Sequence, residues 1–96
     1  MRLSYSQEAV ADLVRLREFI AEKDPAAAAR VASELIARVE NLCMFPYLGY
    51  NVALAPQPDT VREIVFGNYI VRYSLHADAL VVLRLWHHKE DREQSL

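Results

Sequence analysis

The chain has 96 residues, of which 53% are hydrophobic and 25% charged, and eleven Lys and Arg against thirteen Asp and Glu leave a net charge of −2. That length fits a single domain spanning 1–96, and the composition excludes intrinsic disorder. A slightly negative chain lacks the general attraction to phosphates on which nucleic-acid binding draws, so no direct, specific nucleic-acid binding is expected.

One cysteine, Cys43, excludes an intrachain disulfide and a cysteine-based metal site. The opening Met-Arg-Leu-Ser-Tyr-Ser turns polar at once, without the apolar run of a signal peptide. The longest apolar run, Ala79 to Leu83, is far short of the ~20 residues of a membrane span. A cytoplasmic protein with no membrane partner is the expectation.

Leu3 and Tyr5 alternate with polar neighbours as a short strand does. Ser6 is placed to cap a helix and Glu8 to favour its dipole. Helical spacing then joins Val10, Leu13, Val14, Leu16 and Ile20, with Asp12, Arg15, Glu18 and Glu22 on the other faces. Asp24-Pro25 ends this helix and starts another, which opens on four alanines and carries a stripe of Val31, Leu35, Val39 and Leu42. So short a turn predicts an antiparallel helical hairpin. Pro46 and Gly49 stop the second helix, and the stretch to Asp59 reads as an irregular loop.

Beyond the loop the period changes to 2. Val61 to Phe66, Tyr69 to Leu75 and Leu80 to Trp86 are rich in β-branched and aromatic residues, and hairpin-length turns separate them. On the middle run Tyr69, Val71, Tyr73 and Leu75 share one face, and Ile70, Arg72 and Ser74 the other. The order β-α-α-β-β-β describes an α+β domain with a helical hairpin packed on an antiparallel sheet.

An ordered set of short patterns runs along the chain: Ala9 with Asp12-Leu13, Asp24-Pro25-Ala26-Ala27-Ala28, Phe45-Pro46-Tyr47-Leu48-Gly49, Val61-Arg62-Glu63, Asn68-Tyr69-Ile70-Val71-Arg72-Tyr73, and Leu83-Arg84-Leu85-Trp86-His87. In this the chain resembles the RelE/ParE superfamily of toxins from type II toxin–antitoxin systems. The resemblance implies a cognate antitoxin as partner and divides the function two ways. RelE-like members are ribosome-dependent mRNA endonucleases, whereas ParE-like members poison DNA gyrase without nuclease activity. The nuclease branch commonly takes an arginine from a Tyr-Arg-x-x-Tyr pattern on the middle strand, and the matching position here is Ile70, which cannot neutralise a phosphate. Together with the net charge this implies a ParE-like toxin that inhibits gyrase, as in plasmid stabilisation, and needs no cofactor. An inactive relative that only binds its antitoxin is a further alternative.

For the nuclease alternative the candidate residues are His87, His88, Lys89 and Arg92, because imidazoles titrate near neutral pH. By alternation the two histidines point to opposite faces, which would place at most one in a site. A metal site lacks further ligands of suitable type. For partner contact the candidates are Arg62, Arg72 and Arg84 on the strands, with Tyr47 and Tyr50 flanking Gly49. Arg72 and Arg84 would be cross-strand neighbours in a small basic patch, or else pair with Glu63 and Asp78. Trp86, Tyr69 and Tyr73 read as core, Tyr47 and Tyr50 as exposed, and Cys43 as a buried inert thiol.

Overall fold

The Ser6 side chain accepts a hydrogen bond from the Ala9 N–H, so the strand Arg2–Tyr5 (β1) gives way at once to the helix Gln7–Lys23 (α1). The computed structural model describes residues 1–52 and 60–90. Asp24 serves both helices. Its N–H closes the last turn of α1 onto Ile20, and its carboxylate caps Pro25–Leu42 (α2) through the Ala27 N–H, with Pro25 in the first turn where its missing N–H costs nothing.

Four strands follow: Tyr50–Asn51 (β2), Val61–Phe66 (β3), Tyr69–Leu75 (β4) and Ala79–His87 (β5). The sheet order is β1-β5-β4-β3-β2. The meander β3-β4-β5 is antiparallel as its spacing predicts, and Gly67 supplies the positive φ of 59° at its first turn. β1 joins the far edge parallel to β5, so the sheet is mixed. Nothing in the periodicity of so short a strand encodes its direction. β2 lies within the stretch read as loop. Its two residues pair with Glu63 and Arg62, too short a run to show alternation. The rest of that loop, 53–59, and the tail from 91 lie outside the described residues.

One irregularity decides which side chains meet. Arg72 faces Arg84 and Tyr73 faces Val82, so Leu83 is an extra residue on β5. Simple alternation would give Leu80, Val82, Arg84 and Trp86 one face. The bulge instead sends Leu80, Val82 and Leu85 toward the helices, where they join Ala9, Leu16, Leu35, Val39, Leu42, Val71 and Tyr73 in the core. Arg84 and Trp86 turn to the opposite face, opposite Arg72 and Ile70.

The apolar spacing of α1 is only partly used. Leu16 is buried, whereas Val10 and Val14 are exposed and the buried side chain beside them is Asp12. Cys43, read as buried, is half-buried at the C-cap of α2.

Candidate interaction surface

On the face away from the helices Arg72 and Arg84 lie opposite each other, as their strands predict. The indole of Trp86, 2% exposed, has each guanidinium carbon 5.2 Å from its ring. Each arginine already holds a carboxylate. Arg72 Nε donates to Glu63 Oε2 at 2.8 Å, and Arg84 Nε donates to Asp12 Oδ2 at 2.8 Å rather than to Asp78. Both acids are buried. Asp12 also accepts from Arg15 and from the Leu85 N–H. Burial alone would raise its carboxyl, but the bonds from Arg84, Leu85 and Arg15 outweigh it and hold Asp12 below the usual carboxylate range. The row continues through Arg15 to Glu90, and three acids offset three arginines along it.

Arg62 stands apart from this pair. It turns to the other face, donates to Gly49 O at 2.8 Å, and lies 4.9 Å over the Tyr47 ring. The segment it touches is pinned by Tyr73, whose buried hydroxyl accepts from the Gly49 N–H and donates to Pro46 O. Burial pushes this phenol up, with Gly49 and Arg62 opposing. Gly49 is required by close approach, since a Cβ there would stand 2.6 Å from the Tyr73 hydroxyl and 2.7 Å from Glu63 O. The pinned segment exposes Met44, Phe45, Tyr47, Leu48 and Tyr50 together. Phe45 and Leu48 line a groove of about 120 Å³ with Arg38, Asn41, Leu42 and Phe66. Exposed apolar clusters of this kind occur at interaction sites and ligand-binding grooves.

His87 and His88 do not diverge. β5 ends at His87, the chain turns, and the two rings stack with centroids 4.7 Å apart. Alternation applies only inside a strand, and His88 lies beyond it. Phe19 and Tyr69 close on His87 from 5.3 and 5.2 Å. Burial lowers the His87 pKa first, His88 and Lys89 lower it further, and Glu90 opposes them. The Lys89 N–H donates to His87 Nδ1. Arg92 lies outside the described residues. Among the described residues no three His, Cys, Asp or Glu side chains gather as metal ligands.

A family model for the ParE toxin of the type II toxin–antitoxin system parDE matches residues 3–92. The chain belongs to this toxin family. It is 37% identical to Toxin RelE1 of Caulobacter vibrioides over 91 residues, covering 91% of this chain and 92% of the relative. Toxin RelE2 of the same organism is 35% identical over 85 residues, covering 86% and 90%. A chain from the chromosomal ParDE system of P. aeruginosa shares the fold, with a TM-score of 0.76 at 18% identity over 91% of this chain and 95% of that one. Membership in a type II system implies an antitoxin partner. Among the described residues no helix of the toxin is long and apolar enough to cross a membrane.

The toxin's geometry divides the residues singled out from sequence into three groups: Arg72 with Arg84, Arg62 with Tyr47, and His87 with His88 and Lys89. Tyr50 approaches the first group, its hydroxyl 3.4 Å from Glu63 Oε1. The sequence reading missed Asp12, Arg15 and Glu90 as parts of one network. The available signal was Asp12 itself, an acid one turn from Leu16 and bordered by the apolar spacing of its helix.

Proposed function

We propose that this toxin acts by binding DNA gyrase and arresting replication, and that its cognate antitoxin neutralises it by direct contact. The observation that carries the reading is Ile70. It occupies the position at which the resemblance gives the nuclease branch an arginine, and it lies 9% exposed opposite Trp86. The arginines that share its face of β4 and β5, Arg72 and Arg84, hold Glu63 and Asp12. A ribose-phosphate entering this face would compete with buried carboxylates for every positive charge, which disfavours phosphoryl-transfer chemistry there.

One observation favours the endonuclease reading instead. His87, with its pKa lowered, is largely neutral at pH 7 and stands beside the exposed His88 and Lys89, a base next to two donors. Induction of the toxin without its antitoxin in bacteria, with pulse labelling of DNA and protein synthesis in one culture, separates the two. DNA synthesis falling first is the expected result. Protein synthesis falling first would overturn the gyrase reading and move attention to His87, His88 and Lys89.

A further inference from the structure

β1 covers only the first half of the outer edge of β5. Its last backbone bond runs from the Ser6 N–H to Val82 O at 2.9 Å. Beyond that point the backbone groups of β5 that face away from β4 are met by side chains. Leu83 O accepts from Ser6 Oγ, the Leu85 N–H donates to Asp12 Oδ2, Leu85 O accepts from Arg15 Nη2, and the His87 N–H donates to Glu90 Oε1, each at 2.9 Å. Side chains therefore replace a missing strand along an edge that would otherwise be open to pairing.

Arg15 joins the two ends of this substitute. Its Nε donates to Glu90 Oε2 at 2.8 Å and its Nη2 to Glu90 Oε1 at 3.2 Å, while Nη1 reaches Asp12. The Glu90 side chain is 17% exposed and that of Arg15 40%, so the carboxylate is the shielded member of the pair. Burial would raise the Glu90 carboxyl, and the bonds from Arg15 and the His87 N–H bring it below its usual value. The Glu90 N–H also donates to His87 O, closing the turn on itself.

We infer that Arg15 and Glu90 form a latch that seals the free end of the β5 edge and holds the turn bearing His87, His88 and Lys89 against α1. Both are positioning residues, and the latch is independent of which target the toxin acts on. A guanidinium is needed because one planar fork serves a carboxylate, a second carboxylate and a carbonyl at once, which an ammonium cannot match. With the latch released, the His87 N–H loses its acceptor and the chain after Leu85 is free to lift from the helix.

The test is residue-resolved amide hydrogen exchange by NMR on the full chain, comparing Glu90→Ala, Arg15→Ala and Arg15→Lys with the unmodified protein. Exchange of the His87 amide should rise by about tenfold or more in both alanine variants and by an intermediate amount in Arg15→Lys. The Leu85 amide, still bonded to Asp12, should change by less than about threefold, which separates local opening from global unfolding. His87 exchange within about twofold of the unmodified protein in folded Glu90→Ala would overturn the latch. Full protection in Arg15→Lys would overturn the role of the guanidinium fork. If Arg15→Ala fails to fold, Glu90→Ala, altered in the turn after β5, decides the question.

Discussion

Each face of the sheet has a buried centre, held by different physics. Toward the helices Leu16, Leu35, Val39, Leu42, Val71, Leu80, Val82 and Leu85 exclude water without directional bonds. On the other face an indole packs against two guanidiniums, each fixed to a buried acid. The first arrangement tolerates other apolar side chains of similar volume. The second depends on each partner being present, since a buried charge without its counterion is far more costly than a lost methyl group. A charged face of this kind adds little net stability; its ion pairs tie β4 to β3 and β5 to α1.

The sharpest way to break this comparison is Arg72→Ala. Glu63, 4% exposed, would lose the guanidinium that donates to it at 2.8 Å, at a cost of about 3–5 kcal/mol. In a chain of this size that lowers the thermal midpoint by more than about 10 °C. Replacing both partners, Arg72→Leu with Glu63→Leu, should recover most of the loss, because no charge is then left behind. A midpoint for Arg72→Ala within about 3 °C of the unmodified chain would show that water reaches Glu63 freely. The result also bears on toxicity assays: loss of toxicity in Arg72→Ala would report unfolding before it reported a contact surface.

The second prediction concerns the helix-facing side. Leu35, 3% exposed, should cost about 2–5 kcal/mol when cut to alanine, with no rescue from a second substitution. Calorimetry on the two single variants and the double leucine variant compares the faces directly. If Leu35→Ala proved nearly neutral, the second helix would have repacked, and the contrast between the faces would lose its apolar half.

Legibility in the sequence follows the same division. The helical hairpin, its Asp24-Pro25 junction and the meander show as local patterns, because period and capping are properties of neighbouring residues. Val71 and Tyr73 fall on the core face where alternation puts them. The charged face was hidden because its decisive contacts are remote: Asp12 meets Arg84 across 72 positions. The Leu83 bulge hid the rest, since it moves Arg84 and Trp86 away from the face alternation assigns. The short alternation of Leu3 and Tyr5 carries a strand but not its parallel direction, and the two-residue β2 is too short to carry a period. His88 escapes the alternation rule because it lies one residue past the end of β5.

The smallest predicted effect lies at the margin between the two faces, on His87. Its folded pKa is below the usual imidazole value near 6.5, first through burial and then through His88 and Lys89. The unfolded chain therefore takes up this proton at higher pH than the folded one. By linkage, the contribution of His87 is fully present above about pH 6.5 and is lost as the pH falls through the folded value. Proton NMR should give His87 a midpoint below 6.5. In His88→Gln the midpoint should rise, because the lowering influence of His88 is removed, but it should stay below 6.5 because Phe19 and Tyr69 still shield the ring. A midpoint at or above 6.5 in the unmodified chain would mean that Glu90 outweighs burial. The turn would then belong electrostatically to the charged face, with Glu90 holding the His87 proton against the cost of burial.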